Sequence, residues 1–188
     1  MRAPSTVLAV IAAFIFLTGT SGAQRRGAGV QTSFATEKPI RRPVKLTASI
    51  LSQIALAVPD LARECDGDIA RNVSASRINL NADGAPGLLL QGTSSCTMGA
   101  HTSGYWLLTR TPGGYKLAFN HYEDALSILP TVTRRYHDLM VAGISGAGAQ
   151  VSEMLLKFDG SKYQPASCWL TDQSKDGKRH RVPCEGDL

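Results

Sequence analysis

Residues 77–92 read R-I-N-L-N-A-D-G-A-P-G-L-L-L-Q-G. An apolar lead-in, Ile78 and Leu80, runs into Asn79, Asn81, Asp83 and Gly84, and a second apolar run follows at Leu88, Leu89 and Leu90. Asn, Asp and Gly tolerate the left-handed backbone region, and short Asn and Asp side chains bond to their own backbone. The stretch therefore predicts a tight turn between two strands, 76–80 and 87–91. Its spacing also outlines a calcium loop, with oxygen-bearing side chains at Asn79, Asn81 and Asp83 and with Gly84 at the sixth position. A firm calcium site takes about six oxygen ligands, several of them carboxylates. Here only Asp83 is charged, and the twelfth position is Leu90. The expectation is a turn that keeps the outline of the loop, with Asn79, Asn81 and Asp83 as a weak calcium candidate.

The pattern continues outward as strands. Residues 93–104 form a loop of small polar residues carrying Cys96 and His101. Tyr105, Leu107 and Thr109 then alternate with Trp106 and Leu108, the period of a strand. Thr111-Pro112-Gly113-Gly114 marks a hairpin turn, and Tyr115, Leu117 and Phe119 share one face of the return strand. A short strand over 125–129 is expected to stop at Pro130, which cannot donate to a ladder. Further strands fall at 138–144, 151–158 and 162–165, with a loop at 145–149. Upstream, Leu46, Ile50, Ile54 and Val58 recur every four residues behind Thr47, a good N-cap. They predict an amphipathic helix of about three turns that ends near Pro59. Asp60 can restart a short helical turn toward Cys65.

The two halves of the strand region repeat. In each, an apolar strand ending near Gly is followed by a small-residue loop, a second apolar strand, a Gly turn and a return strand led by Tyr115 or Tyr163. One such unit cannot bury its own apolar face, whereas two can cover each other. The predicted fold class is α+β, mainly antiparallel β, with two three-stranded units in tandem behind one N-terminal amphipathic helix.

The run I-N-L-N-A-D-G-A-P-G-L-L-L, with Y-W-L-L-T-R-T-P-G-G-Y-K-L beyond the loop, resembles the repeat of FG-GAP or integrin-alpha-like secreted proteins. It is also similar to small exported bacterial proteins of unknown function. The resemblance spans roughly residues 76–165 and implies a strand and hairpin behind a calcium loop. In that repeat the loop places Asp at positions 79 and 81 and an acidic group at 87; this chain has Asn79, Asn81 and Gly87. The second unit has no such loop.

The ends of the chain bear on compartment. The chain has 188 residues, room for one domain and a tail. Residues 7–17 are apolar, too few to span a bilayer comfortably, and small residues follow, with Ser21 and Ala23 placed for cleavage after Ala23. This is the pattern of a secretory signal peptide over 1–23. A mature protein exported to the periplasm or beyond, without a transmembrane span, is expected. Four cysteines, Cys65, Cys96, Cys168 and Cys184, fit an oxidising compartment. Three connectivities are open; nearest-neighbour pairing, Cys65–Cys96 and Cys168–Cys184, is favoured. No two cysteines have zinc-ligand spacing.

The net charge of +5 is unevenly spread. Residues 24–45 carry six basic residues against Glu37 alone, whereas 46–171 hold nine basic and ten acidic residues. The arm over 24–45 therefore reads as a disordered basic leader or as a tether to anionic lipid or cell-wall polymer. A single domain over 46–168 and a polar tail over 169–188 complete the division. The basic cluster between Lys175 and Arg181 is balanced by nearby acids, so no nucleic-acid footprint is expected.

Catalytic signatures are sparse. His101, His121, His137 and His180 share no metal-ligand spacing. Gly143-Ile144-Ser145-Gly146-Ala147 has Ala147 where a nucleophile elbow needs Gly, and no helix pattern follows. No phosphate loop or dinucleotide fingerprint occurs. No cofactor is expected. The polar corner His121-Tyr122-Glu123-Asp124 could supply an acid and a base, and Asp138 is a further candidate. Tyr105, Trp106, Tyr115 and Tyr122 crowd one hairpin; they form either a contact surface for protein or glycan, or a second buried face under the helix. Two function classes follow. One is a non-catalytic exported binding module for an envelope protein, a glycan or a foreign hydrolase, with the loops 93–104 and 145–149 making contact. The other is a small secreted hydrolase built on His121, Glu123 or Asp138. Geometry separates them, because an enzyme must bring at least two of these side chains together. The oligomeric state is left open.

Overall fold

A computed structural model describes residues 31–38 and 40–184. The expected signal peptide and the first part of the basic arm lie outside these residues. Three short helices open the domain: α1 (Ala48–Ala57), α2 (Pro59–Glu64) and α3 (Ile69–Asn72). Thr47 caps α1 as expected, its hydroxyl accepting from the Ile50 amide at 3.4 Å. Pro59 does more than stop α1. It becomes the first residue of α2, where its missing N–H costs nothing.

A four-stranded antiparallel sheet follows, in the order β2 (Val73–Asn79), β3 (Pro86–Gly92), β4 (Ser103–Thr111) and β5 (Gly114–Glu123). The second sheet has six strands: β1 (Ser33–Ala35), β6 (Ala125–Thr133), β7 (Tyr136–Ser145), β8 (Gln150–Phe158), β9 (Tyr163–Asp172) and β10 (Arg179–Val182). The expected pair of three-stranded units is therefore corrected. β3–β4–β5 and β7–β8–β9 are present, but each is part of a larger sheet. Strand β1 was hidden because three residues, with one apolar side chain, show no period. Yet Phe34 is fully buried between the sheets, and Ile40 joins it. The described part of the basic arm is thus built into the core. Likewise the polar tail supplies the end of β9 and all of β10.

The layers stack in the order helices, four-stranded sheet, six-stranded sheet. Ile78, Leu89, Tyr105, Leu107 and Phe119 meet Leu126, Leu139, Val141, Leu156 and Phe158 between the sheets. On the other face of the four-stranded sheet, Leu88, Leu90, Trp106 and Leu108 pack against Ile54, Leu61 and Ile69 of the helices. Period-2 alternation thus feeds two cores from one sheet. The return strand β5 departs from simple alternation. The register slips between Leu107 and Leu108, leaving Ala118 as an extra residue. Phe119 consequently faces the inter-sheet core, while Tyr115 and Leu117 face the helices. Pro130 does not end β6 either. It sits where the β6–β7 register is broken between Ile128 and Val132, so its missing donor is not needed.

The turn at 79–86 stitches the two sheets. Asn81 Oδ1 accepts from the Asp83 amide at 2.8 Å, the Asx turn its sequence suggests. Beyond the turn itself, the Ala82 amide donates to the Arg135 carbonyl at 2.8 Å, and the His137 amide to the Leu80 carbonyl at 2.7 Å. The opposing β6–β7 turn is Arg134–Arg135, with φ of 50° and 70°. Left-handed backbone costs a side-chain-bearing residue about 1–2 kcal/mol. Arg135 pairs with the Asp83 carboxylate, and Arg134 donates to the Asp159 carbonyl. These contacts are exposed and worth little. Replacing the pair, Arg134→Asn with Arg135→Gly, supplies residues that such hairpins prefer and is expected to raise stability by about 1 kcal/mol. A higher urea midpoint checks this; a lower one would show that the arginine contacts outweigh the backbone cost.

Two disulfides, Cys65–Cys96 and Cys168–Cys184, match the nearest-neighbour pairing. No helix among the described residues is long and apolar enough to cross a membrane.

Candidate functional site

Between β5 and β6 one residue, Asp124, carries the chain from the four-stranded to the six-stranded sheet. That corner is tied from both sides. The Thr36 amide donates to the Asp124 carbonyl at 2.9 Å, and the Asp124 amide to the Ala142 carbonyl at 3.1 Å. Asp124 Oδ2 accepts from the Ile144 amide at 2.6 Å. The end of β1, the corner and the end of β7 are thereby brought together.

A cleft of about 690 Å³ opens over this corner. Its walls come from residues 35–38 behind β1, from Ala100 and His101 in the β3–β4 loop, and from 144–148 at the end of β7. Two loops named from sequence as contact loops therefore meet across one cleft, though some 45 residues apart. The 144–148 wall carries a single 3₁₀ turn, Gly146–Gly148, inside which Ala147 has a φ of 55°. No helix follows Ser145, so a nucleophile elbow is not formed there. The opposite loop is rigidified from within by Thr97, which is fully buried. Its hydroxyl donates to the Asn72 carbonyl (2.8 Å) and receives the amides of Thr93 (3.1 Å) and Ser94 (3.2 Å).

Near the Asp124 corner the inter-sheet space holds polar groups. Gln91, Tyr105 and His121 are cross-strand neighbours in register on β3, β4 and β5. Gln91 Nε2 donates to the Ala35 carbonyl at 2.8 Å, while its Oε1 is buried without a partner. The Tyr105 hydroxyl is also buried without a hydrogen bond of proper geometry, although it faces Thr36, Asp124 and Glu123. Thr36 spends its own hydroxyl on the carbonyls of Glu123 (3.3 Å) and Asp124 (3.2 Å). Burial, chiefly, pushes the Tyr105 phenol up to about 12. Gly143, on the facing strand β7, leaves room here. A Cβ at that position would lie 2.8 Å from Glu123 Oε2 and 3.0 Å from Ser152 Oγ.

Of the acid–base candidates, His121 and Glu123 come together, Nδ1 to Oε1 at 3.0 Å. The approach pairs charge without the alignment of a good hydrogen bond. Asp138 does not join them. It is 3% exposed in β7, Oδ1 unpartnered, near Tyr163. Among the described residues no Ser, Thr or Cys side chain hydrogen-bonds to the His121 ring.

The remaining candidates fall elsewhere. Tyr105 and Trp106 are buried in the two cores, Tyr115 is half-buried under α1, and Tyr122 alone is open, at 43% exposure. The hairpin aromatics therefore form no common outer surface; the helix layer claims one face and the second sheet the other. Asn79 lies at the end of β2, apart from Asp83, whose carboxylate is occupied by Arg135. No group of three or more His, Cys, Asp or Glu among the described residues is arranged to hold a metal ion. The basic tail cluster is paired locally: Lys175 with Asp172 (2.9 Å), Arg179 with Glu153 (2.8 Å). Arg179 also lies 4.0 Å above the Trp169 ring.

The His121 contact gives the fold a pH dependence. The Glu123 carboxylate raises the imidazole above its ordinary 6.5, against the effect of burial. A raised folded-state pKa stabilises fully below the unfolded value and is lost as pH climbs through the folded one. Wild type should therefore exceed His121→Gln in stability below pH 6.5 and lose that margin above it, measured by urea midpoints across pH 5 to 8. A margin independent of pH would remove the His121–Glu123 pairing from the account.

No family model, curated protein or solved structure matches this chain.

Proposed function

We propose that this is an exported, non-catalytic binding module that receives its ligand in the cleft above the Asp124 corner. One observation carries the reading: three segments remote in sequence, 35–38, 100–101 and 144–148, wall a single cleft on a rigid two-sheet scaffold. Loops held by a scaffold are where recognition usually resides. The disulfides and the signal-like leader support an envelope or extracellular setting, so an envelope protein or glycan is the class of partner. No metal is called for, since Asn81 and Asp83 serve the turn that joins the sheets.

The hydrolase reading keeps one observation, the His121–Glu123 contact at 3.0 Å. That contact brings two of the three named side chains together, but neither lines the cleft, Asp138 sits elsewhere, and among the described residues no Ser, Thr or Cys side chain hydrogen-bonds to the imidazole.

Chemical-shift mapping with a library of short glycans and peptides tests the binding reading. Bound members should move the amides of Thr36, Lys38, His101 and Ser145, and Ser145→Trp, which fills the cleft, should abolish those shifts. Shifts confined to the open face of the six-stranded sheet around Trp169 would refute it.

A further inference from the structure

We propose that the outer edge of β5 receives an extended segment of a partner protein, taken up as a fifth strand of the four-stranded sheet. This surface is separate from the cleft. β5 is the last strand of its sheet, ten residues long, with β4 on one side only. Among the described residues, no main-chain group outside β4 hydrogen-bonds to the main chain of Gly114–Glu123. The other edges are shorter or partly covered. β1 has three residues and β10 four, and the Ala75 carbonyl of β2 accepts the Val44 amide. Sheet edges are commonly blunted by lysine, proline or a bulge. The first half of β5 has Lys116 and the extra Ala118, whereas residues 119–122 have none of these.

The six-stranded sheet supplies a floor beneath that edge. At one end of β5, Glu123 Oε2 lies 2.8 Å from where a Cβ of Gly143 would stand, with Ser152 Oγ at 3.0 Å from the same point. At the other end, the Lys116 ammonium donates to Ser161 Oγ, in the β8–β9 turn, at 2.9 Å. β5 thus tracks β7 and β8, and β9 and β10 project past it. Val141 is buried between the sheets, so Met154 and Cys168, beside it in register, face the same way. The next row but one along the strands, Gly143, Ser152 and Leu170, faces that way too. Ser152 is exposed, and Met154 and Leu170 are half-buried. An added strand would pair its main chain with β5 and lay alternate apolar side chains over Met154 and Leu170. A second copy of the chain does not fit. Pairing two β5 strands about a two-fold axis drives each projecting β9–β10 hairpin into the other copy's six-stranded sheet, whereas a lone segment carries no such hairpin.

Amide hydrogen exchange of the intact protein, with seven-residue peptides that alternate threonine with valine, isoleucine or phenylalanine, tests this. At least one peptide should slow exchange of alternate β5 amides tenfold or more and move the methyl signals of Met154 and Leu170, leaving Thr36 and His101 unmoved. N-methylation of one alternate set of peptide amides should abolish binding, and of the other set preserve it, because only one edge of the added strand meets β5. Leu170→Asn should weaken binding fivefold or more while leaving β5 exchange in the peptide-free protein unchanged. No peptide protecting β5 at millimolar concentration, or both methylated sets behaving alike, would overturn the proposal. Shifts at Thr36 and His101 in place of β5 would also overturn it while supporting the cleft, so the two readings fail separately. A peptide-free dimer with protected β5 amides would overturn it in favour of a second copy.

Discussion

Replacing both Cys65 and Cys96 with Ala is expected to lower the unfolding free energy by about 3.7 kcal/mol, the chain-entropy value for a sequence separation of 31 residues. The bridge joins the end of α2 to the β3–β4 loop, so its loss frees two elements at once. α2 is only six residues long, too short to persist without packing. Leu61, Cys65 and Ile69 together cover the outer face of the four-stranded sheet, and their cluster includes Leu90 and Trp106. The same loop carries His101 into the cleft wall, so ligand binding should weaken along with stability. Removing Cys168–Cys184 is expected to cost less, about 3.1 kcal/mol for a separation of 16 residues, and to loosen only β10 and the chain beyond it. Urea unfolding of the two double variants checks both the size and the order. A Cys65/Cys96 variant within about 1 kcal/mol of wild type would show that loop closure contributes little in this chain.

Gly92→Ala is the second large effect, expected at about 3 kcal/mol. Gly92 ends β3, where it pairs with Val73. A Cβ there would stand 2.2 Å from the Thr97 carbonyl oxygen and 2.7 Å from Thr97 Cβ. The obstruction is backbone, so no rotamer change relieves it. Thr97 cannot retreat, because its hydroxyl holds the Asn72 carbonyl and its carbonyl accepts the Gly104 amide at 2.8 Å. Either the β3 end or the whole loop must shift, and the cleft wall shifts with it. A thermal melt reads the loss of stability, and chemical shifts of His101 and Ala100 read the displaced wall. A melting temperature unchanged within two degrees would contradict this packing of Gly92 on Thr97.

Much of the fold was legible because it is local. Strand alternation at 105–109, the Asn–Asp–Gly turn after Leu80 and the four-residue spacing behind Thr47 each fix a nearby conformation. Cysteine proximity gave the right bridges because both close short loops. What escaped notice depends on partners distant in sequence. Phe34 belongs to no apolar period in the basic arm until Leu126 receives β1 across the sheet edge. The extra Ala118 in β5 turns Phe119 away from Tyr115, and no feature of the sequence announces it. Tyr105 and Trp106 were readable as a contact surface only while the helix layer and second sheet were unassigned.

The site follows the same division. The two contact loops were visible from composition, since small and polar residues mark exposed segments. Their meeting across one cleft was not, because it depends on Asp124 carrying the chain between sheets and accepting the Ile144 amide. The unpartnered atoms of Gln91 and Tyr105 were equally hidden, being products of register between β3 and β4. His121 and Glu123 are two residues apart on one strand face, so their contact could be foreseen, whereas Asp138 required the register of β7.

The most direct test of a cleft-centred binding module is position-specific photo-crosslinking. Benzoylphenylalanine placed in turn at Ala100, Ser145 and Thr171 compares the two cleft walls with the open face of the six-stranded sheet. Incubated with envelope material from the source cells, the variants at Ala100 and Ser145 should form the same adduct, and the one at Thr171 none. Adducts from Thr171 with none from Ala100 or Ser145 would contradict the account.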